Sequence, residues 1–526
     1  MDIIFADGVN YQLPESIADV QSLVKQAREQ GTVIRVRGSY HSIPPAVNST
    51  DTASSATPAG ISIMLSKMAS VQINTDDATV TVEAGCHLGF DPFDPTGIST
   101  LKNSLFYQLD QAGFAIPDMG GIIHQTVGGF LSTGSAGGST QYSFDQQLTS
   151  IRFIPGTDDL TPVELSISDD PNDAFLAAGV SMGLYGIIVS ATFNLVKRFN
   201  IKGIQSTSTV QKCKVDLLGT GEDGRPDLQE FLTTTPYARL LWYPQPAVQK
   251  VVVWQAAPMK PDDPYKYKPY QELPEILGSY LPAELAADLV YTLMGTWPNW
   301  LNDAVAEYPL LYDGIKAIVD TYFYSDILPA VLTVFAPVDP VDAKGNPQPQ
   351  TFEDSWYGGL PMDNNMSDKL FPVEFTELWI PIGQTQAAMT AMNEAFTAFY
   401  GNNPGPSGAF CTELYAAPES QFWMSPAYGQ DVVRIDIFWF GNNIGSPTDA
   451  FYPFFWDKLK NLNFRCHWAK YMPDGSSPDW KGYSQQLYPK WDAFMQLREA
   501  YDPQQIFVND YWRAQLGIPP AATTSL

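Results

Sequence analysis

The sequence predicts an α+β fold, and three features of its 526 residues lead to that prediction. Residues Ile17 to Gln30 repeat apolar side chains at helical spacing, which is typical of an amphipathic helix. Residues 79–83, TVTVE, alternate with the period of two that is typical of a strand. Helical and strand-like segments follow one another with no repeated unit, and the length suggests about two to four domain-sized units.

The order of the segments predicts how these units are arranged. Up to residue 200 the predicted elements are short and are separated by glycine turns; they include strands at 33–36, 61–65 and 183–196 and a helix near 101–113. From 201 to about 462, prolines and aromatic residues become more frequent, and long strands are predicted at 371–379, 409–416 and 432–440, with a helix at 386–400. We therefore expect a second domain with a mixed or antiparallel sheet covered by helices.

The charge and the hydropathy pattern exclude several classes of partner. The formal net charge of −27 opposes binding to nucleic acid or to anionic membranes. No run of 18 apolar residues indicates a membrane span, and the N-terminus does not resemble a signal peptide. The prediction is a soluble protein, cytoplasmic as written, although a signal peptide that has been removed would leave secretion open. The four cysteines lie far apart and form no zinc motif, and the sequence leaves their disulfide state open.

Two segments of the first 200 residues carry candidate binding groups. The run IRVRGSYHS, residues 34–42, predicts a strand followed by a glycine turn that ends near His41, one of only four histidines. Residues 117–139 are rich in glycine and hold no lysine or arginine, so any phosphate bound there would depend on backbone N–H groups. The alternative for this stretch is a set of tightly packed turns.

Two predicted strands later in the chain place ionisable groups on one face. Period-two alternation puts Glu413 and Tyr415 on the same face of one strand, and Arg434, Asp436 and Phe438 on the same face of another. These side chains could form the polar wall of a pocket, and the alternative is a face of the sheet exposed to solvent. The segment RCHWAK, residues 465–470, is either part of a site or a surface turn.

The order of these motifs resembles one superfamily. The segments RVRGSYHS, TVTVEAG, PDMGGIIHQTVGGFLSTGSAGG and GLYGIIVSATFNLV resemble the FAD-binding domain of the vanillyl-alcohol-oxidase / p-cresol-methylhydroxylase (PCMH) type flavoenzymes. The later segments TELYAA, SPAYGQD, RCHWAK and YDPQQIFVND resemble alditol and sugar-lactone oxidases, while WYPQPAVQKVVVW and GAFCTELYAA also resemble the covalent-flavin cholesterol oxidase. The resemblance implies a two-subdomain FAD-binding domain of PCMH type at 1–200, a substrate-binding domain at 201–462, and a C-terminal segment at 463–526 that returns to the FAD domain and active site.

The resemblance also implies which residues hold the cofactor. It implies FAD attached covalently through His41, and no second covalent link, because residues 117–139 contain no cysteine. The implied cofactor-binding residues are Arg37, Gly38, Ser39, Tyr40, His41, Ser42, Gly120, Gly121, Thr126, Gly128, Gly129, Ser132, Gly134, Ser135, Ile188 and Asn509. No metal is implied.

The chemistry implied by the resemblance is oxidation of a CH–OH group to a carbonyl by hydride transfer to flavin N5, with O2 as acceptor. The implied catalytic residues are Glu413, Tyr415, Asp436, Lys470 and Asn509. Tyr415 stands where relatives carry an arginine, and Lys470 could supply the missing positive charge near flavin N1.

Three questions remain open from the sequence. The small-molecule substrate could be a polyol, a sugar or lactone, or an apolar, sterol-like alcohol. The chain could also be a dehydrogenase with another acceptor, or a flavin-binding protein that has lost alcohol oxidation. The oligomeric state is undetermined.

Overall fold

The computed structural model of the chain describes residues 1–49, 60–168, 170, 172–221, 224–272, 328–364, 373–402, 408–441 and 446–521. The strands are β1 Asp2–Ala6, β2 Val9–Leu13, β3 Ile34–Arg37, β4 Ile61–Met64, β5 Val71–Asn74, β6 Thr79–Glu83, β7 Phe114–Ala115, β8 Leu148–Ile154, β9 Val163–Ser166, β10 Ile187–Asn194, β11 Val196–Lys197, β12 Asn200–Thr209, β13 Tyr237–Tyr243, β14 Lys250–Pro258, β15 Gln350–Ser355, β16 Val373–Pro381, β17 Ala409–Ala417, β18 Val432–Phe440 and β19 Arg465–Cys466. The helices are α1 Ile17–Gln30, α2 Pro44–Val47, α3 Leu105–Gln111, α4 Val127–Ser132, α5 Ala174–Ala178, α6 Leu228–Thr234, α7 Leu328–Phe335, α8 Trp356–Gly359, α9 Thr385–Asn402, α10 Pro447–Ala450, α11 Tyr452–Leu459, α12 Tyr483–Leu487, α13 Trp491–Tyr501 and α14 Asp510–Leu516.

Helix α1 shows how closely local signals can determine an element. Ser16 caps its N-terminus, since its side chain accepts a hydrogen bond from the backbone N–H of Asp19. Gly31 ends the helix at φ 61°, in the left-handed region that glycine enters without strain. The predicted range of residues 17–30 is therefore confirmed.

Besides the antiparallel pair of β7 and β11, two small sheets are built from residues before 200. The order of the first is β1-β2-β4-β3, in which β4 pairs in parallel with both β2 and β3. The order of the second is β5-β6-β10-β8-β9, and its strands pair antiparallel. These two sheets correspond to the two expected subdomains, and the predicted α+β class is confirmed.

A larger sheet begins at β12, in the order β15-β12-β14-β13-β17-β18-β16-β19 among the described strands. Each of its neighbouring pairs is antiparallel. The division at residue 200 stays a prediction, and the change from the small sheets to the large one falls there. The two strands predicted to carry ionisable groups, β17 and β18, are neighbours at the centre of this sheet.

One face of the large sheet is covered by helices. Leu378, Leu414 and Ile435 are fully buried in one apolar cluster with Met389 of α9 and Phe455 of α11. Since side chains alternate between the faces of a strand, Glu377, Glu413 and Asp436 lie on the other face of the large sheet, toward the two small sheets. The helix-covered core therefore fixes which residues face inward.

Two global expectations can be compared with the structure. Within the described ranges, no helix has the length and apolar character needed to cross a membrane. The thiols of Cys86, Cys213, Cys411 and Cys466 are all free, which answers the disulfide question left open by the sequence.

Candidate active site

A cavity of about 1000 Å³ runs between the small sheets and the open face of the large sheet. Most of the predicted cofactor residues line it: Arg37, Gly38, Ser39, Tyr40, His41, Ser42, Gly120, Gly121, Thr126, Gly128, Gly129, Ser132, Ser135 and Ile188. The predicted catalytic residues Glu413, Tyr415, Asp436 and Lys470 line the same cavity. Its size is at the upper end of small-molecule sites and is suited to a dinucleotide together with a substrate.

The first wall of the cavity is the turn after β3. Tyr40 adopts φ 65°, which bends the chain sharply after Gly38. The guanidinium of Arg37 lies 4.2 Å from the ring centre of Tyr40 and forms an ion pair with Asp7 at 2.5 Å. A Cβ on Gly38 would come within 2.6 Å of the Thr126 hydroxyl, so a side chain there would close the cradle.

The second wall is the glycine-rich segment. The Thr126 side chain accepts a hydrogen bond from the N–H of Gly129 at the start of α4. A Cβ on Gly128 would press against Ala84, and one on Gly121 would overlap the carboxylate of Asp363. The segment carries no cationic side chain, and the N–H groups of Gly128, Gly129 and Gly134 donate within the protein. Its small residues leave room for a pyrophosphate to approach the backbone closely, which fits FAD.

Three of the four histidines meet beside this cradle. Nε2 of His41 lies 3.2 Å from Nδ1 of His124, within hydrogen-bonding distance. Nδ1 of His87 lies 2.7 Å from the carbonyl oxygen of His124, and the Ser39 hydroxyl donates to that same carbonyl at 2.5 Å. Burial, reinforced by the other two histidines and Lys470, holds the pKa of His41 well below its ordinary value. His41 is therefore a neutral imidazole at physiological pH.

The third wall is the sheet face, where three carboxylates stand in one row. Asp436 on β18 pairs directly with Glu413 on β17 and with Glu377 on β16. Side chains opposite one another in such pairs are about 5 Å apart, so like charges repel. The row is stable only if the three carboxyl groups are not all ionised at the same time.

A row of cationic and aromatic groups lies next to these carboxylates. Arg434 pairs across the sheet with Tyr415 and with Trp379, and its guanidinium lies 3.8 Å and 4.4 Å from the centres of their rings. It donates to the Glu377 carboxylate and to the Tyr415 hydroxyl. The guanidinium of Arg434 lies against the Tyr415 ring. Relatives are expected to carry an arginine at the position of Tyr415. The positive charge thus reaches this region from the neighbouring strand.

The two oxygens of Asp436 have different surroundings. Oδ2 accepts a hydrogen bond from the Tyr415 hydroxyl at 2.7 Å. Oδ1 is buried and has no hydrogen-bond partner among the described residues. Burial and the nearby Glu377 raise the pKa of this carboxyl well above its ordinary value, while Arg434 and the Tyr415 hydroxyl oppose the shift. Asp436 therefore lines the cavity and keeps one carboxylate oxygen without a hydrogen-bond partner among the described residues.

Glu413 and Glu377 differ in charge. Burial, with a contribution from Asp363, raises the pKa of Glu413 well above its ordinary value, and Arg239 on β13 partly offsets this at 3.8 Å. Glu377 is buried as well, but the guanidinium of Arg434 lowers its pKa against the effect of burial. The row thus holds one carboxylate whose pKa is lowered, Glu377, and two, Asp436 and Glu413, whose pKa values are raised well above the ordinary carboxyl range.

The segment RCHWAK reaches the cavity from the C-terminal part of the chain. Lys470 Nζ donates to the carbonyl oxygen of His41 at 2.7 Å and lies 4.2 Å from the ring centre of Phe375. Burial lowers the pKa of Lys470 to about 8. His467 Nε2 lies 2.9 Å from the Ser135 hydroxyl. This segment is therefore part of the cavity rather than a surface turn.

Two predicted site residues lie outside the cavity lining. Gly134 adopts φ 70° and packs against Pro426 and Val180. Asn509 caps α14, and its Nδ2 donates to the carbonyl oxygens of Pro45 and Asn48. The amide of Asn509 thus secures the segment that follows the His41 turn. A direct contact of Asn509 with cofactor or substrate stays a prediction without support from this geometry.

Several residues in the site were missed from the sequence. Glu377 alternates with Trp379 on one predicted strand, a signal that could have placed it beside Asp436. Arg239 lies on β13 with Leu241, which pairs with Glu413. Asp118 accepts a hydrogen bond from the N–H of Gly137; no pattern in the sequence indicated that contact.

Comparisons with known proteins agree with this geometry. The D-arabinono-1,4-lactone oxidase family matches residues 352–515, and the FAD binding domain family matches residues 10–89. The L-gulonolactone oxidase of Scyliorhinus torazame is 22% identical over 506 residues, which cover 95% of this chain and 93% of that protein. The D-arabinono-1,4-lactone oxidase of Kluyveromyces lactis is 30% identical over 252 residues, 47% of this chain and 41% of that protein.

Among solved structures, the cholesterol oxidase of Brevibacterium sterolicum superposes with a TM-score of 0.66 at 14% identity. The superposition covers 97% of this chain and 94% of that one. At this identity the likeness is one of fold, and it extends over both the small sheets and the large sheet. The two family matches, the full-length relative and this common fold lead to one conclusion. The chain is similar to FAD-linked oxidases: it matches an FAD binding domain family and the D-arabinono-1,4-lactone oxidase family, and it shares the fold of the vanillyl-alcohol-oxidase / p-cresol-methylhydroxylase type.

Proposed function

We propose that this protein is an FAD-dependent oxidase that converts a CH–OH group to a carbonyl and passes the electrons to O2. The observation that carries the proposal is Asp436, whose buried Oδ1 lacks a partner in the described part of the chain. Asp436 lines the same cavity as the glycine-rich segment. A carboxylate placed this way can accept the proton of a substrate hydroxyl.

FAD, when bound, supplies the acceptor for the hydride. The turn at 37–42 and the segment 120–135 are proposed to hold it, because both contribute small glycine and serine residues to the cavity lining. Ile188 lines the cavity on β10 and is proposed to contact the adenine end. The catalytic residues lie on the opposite wall.

Asp436 is proposed as the base because its raised pKa brings it closer to the working pH than an ordinary aspartate. The Tyr415 hydroxyl fixes one of its oxygens and leaves the other for the substrate. Glu413, whose pKa is also raised, is proposed to orient the substrate hydroxyl. Lys470 and Arg434 are proposed to supply positive charge where negative charge develops during the reaction. Arg434 takes the place of the arginine that relatives are expected to carry at the position of Tyr415.

We further propose that FAD is attached through His41. Its imidazole is buried and neutral, which leaves a nucleophilic nitrogen, and Nε2 is engaged with His124. That contact leaves Nδ1 for the flavin. The Lys470 ammonium, which donates to the His41 carbonyl, links this turn to the catalytic wall.

Acid precipitation of the purified protein tests the attachment. A yellow pellet is expected from the wild type, and His41→Ala is expected to release its flavin to the supernatant. Ser42→Ala, the neighbouring position, serves as a control that keeps the yellow pellet. A colourless wild-type pellet with a yellow supernatant would overturn the covalent link and leave the FAD site intact.

Anaerobic reduction followed by exposure to air tests the acceptor. If O2 is the acceptor, the reduced flavin reoxidises rapidly in air with formation of hydrogen peroxide. Slow reoxidation, rescued by an added quinone, would favour a dehydrogenase. A flavin that no alcohol, polyol or sugar lactone reduces would indicate loss of alcohol oxidation; the sugar lactones belong in the trial because the relatives are named for them.

A further inference from the structure

Two residues along the strands from the carboxylate row, the cavity face of the large sheet becomes apolar. Phe375 on β16 pairs with Phe438 on β18, and their ring centres are 4.7 Å apart. Both rings line the cavity and are only half-buried. Since two residues span about 7 Å along a strand, this phenylalanine pair lies within one small-molecule length of Asp436.

The apolar surface continues onto the neighbouring strands. Leu241 pairs directly with Glu413, and Phe410 and Cys411 precede it on β17; all three line the cavity. The three side chains are 5% exposed or less, so they form a fixed wall. Val373 lines the cavity at the start of β16.

Polar groups are sparse on this part of the wall. Glu374 is half-buried, and burial raises its pKa, while a hydrogen bond with Tyr471 opposes that shift. The Lys470 ammonium uses one of its three donors on the His41 carbonyl and lies 4.2 Å from the ring centre of Phe375. A polyol needs a hydrogen-bond partner for each hydroxyl that it buries, because a buried hydroxyl without one opposes binding. The described side chains between Asp436 and Val373 supply few such partners, whereas they bury hydrocarbon well.

We propose that the substrate is an alcohol with an apolar body, whose hydroxyl meets the carboxylate row and whose hydrocarbon lies on the Phe375–Phe438 pair. This inference rests on the proposed function and specifies its substrate class. It selects one of the three classes that the sequence left open, and it differs from the sugar lactones for which the relatives are named.

A homologous series of alcohols tests the proposal on the FAD-loaded protein. For the primary alkanols from 1-butanol to 1-octanol, kcat/KM is expected to rise about fourfold per methylene, the factor for burying one CH₂. Binding is followed independently by the change in flavin absorbance with unreactive alkanes of matched length. Sorbitol and L-gulono-1,4-lactone are expected to reduce the flavin at least tenfold less efficiently.

Phe438→Ser provides the structural test. It is expected to lower kcat/KM for 1-octanol about tenfold or more while changing that for 1-butanol less. Phe90→Ser is the matched control, because Phe90 is 45% exposed and does not line the cavity. Equal losses for both alcohols would overturn the assignment of Phe438.

The outcomes separate the two proposals. If sorbitol or the lactone reduces the flavin efficiently and alkanols neither bind nor react, the oxidase function stands and the apolar substrate is wrong. If alkanes perturb the flavin spectrum while no alcohol reduces it, the wall binds apolar bodies and the oxidase function is wrong.

Discussion

The proposed base, Asp436, accepts a hydrogen bond from one neighbouring hydroxyl, that of Tyr415. The Tyr415 hydroxyl donates to Oδ2 and so lowers a pKa that burial raises. Tyr415→Phe is therefore expected to raise the pKa of Asp436 further. Because the carboxylate form is the active one, the acidic limb of kcat should move to higher pH by about one to two units, the equivalent of a hydrogen bond to a charged group.

Tyr243→Phe is the matched control for that measurement. The Tyr243 hydroxyl is buried on the neighbouring strand β13 and has no hydrogen-bond partner within the described ranges. Its removal should leave the acidic limb in place. An acidic limb that stays fixed in Tyr415→Phe, with the Tyr243→Phe profile unchanged, would mean that Asp436 is not the titrating base.

The pKa of Lys470 predicts the alkaline limb of the pH profile. Its pKa is lowered to about 8 by burial, against the attraction of Glu377 and Asp436. The cation is present below that pH and is lost as the pH rises through it, so flavin reduction should slow above about pH 8. Lys470→Arg keeps its charge at all these pH values and should move the limb upward. If the limb near pH 8 persists in Lys470→Arg, a group other than Lys470 causes that limb.

At the same scale, the sequence could predict single residues only where local order carried the signal. Glu413 and Tyr415 were placed on one face of a strand, and Asp436 on one face of another, because side chains alternate along each strand. The pairing of Arg434 with Tyr415 joins residues 19 positions apart through sheet register, and local spacing does not specify register. The missing arginine was therefore noticed, while its substitute on the next strand was not.

Among the elements, the loop at 134–138 connects cofactor and catalytic walls. Asp118 accepts from the N–H of Gly137, and Arg434 donates to the carbonyl oxygens of Ala136 and Gly137. Burial raises the pKa of Asp118 to about 7. A Cβ on Gly137 would overlap the Asp118 carboxylate and the Met119 carbonyl. The loop can therefore be held at this depth only if residue 137 is glycine.

Gly137→Ala is expected to lower the free energy of unfolding by about 1–3 kcal/mol and to weaken retention of flavin. Chemical denaturation in urea measures the first effect, and flavin absorbance after gel filtration measures the second. Gly383→Ala is the control, since no atom lies within 4 Å of its added Cβ. Equal unfolding midpoints for the two variants would contradict the role of the loop.

Element boundaries followed the sequence where caps and alternation were strong. The strand at 432–440 and the helix at 17–30 agree with β18 and α1, while the strand predicted at 371–379 is described as β16, Val373–Pro381. The order of strands in the large sheet could not be predicted, because β16 and β18 pair across the 50 residues of chain (382–431) that lie between them.

For the whole molecule, FAD bound in the proposed site would contact both the small sheets and the large sheet, because residues of both line the cavity. Binding to the folded form alone stabilises by about 2.7 kcal/mol at a hundredfold excess over Kd. His41→Ala stripped of flavin should therefore melt several degrees higher when FAD is added. ATP, which carries adenine and phosphates without the isoalloxazine ring, should give a smaller shift. Equal shifts with both would contradict the bridging role.

Anaerobic single-turnover reduction of the flavin is the most direct test of the proposed chemistry. Wild type and Asp436→Asn, each loaded with FAD, are mixed with the alcohol that reduces the wild type fastest. Loss of a general base predicts a reduction rate about 10² to 10⁴ lower in Asp436→Asn, with bound flavin unchanged. An equal rate in the two proteins would show that Asp436 is not the base for alcohol oxidation.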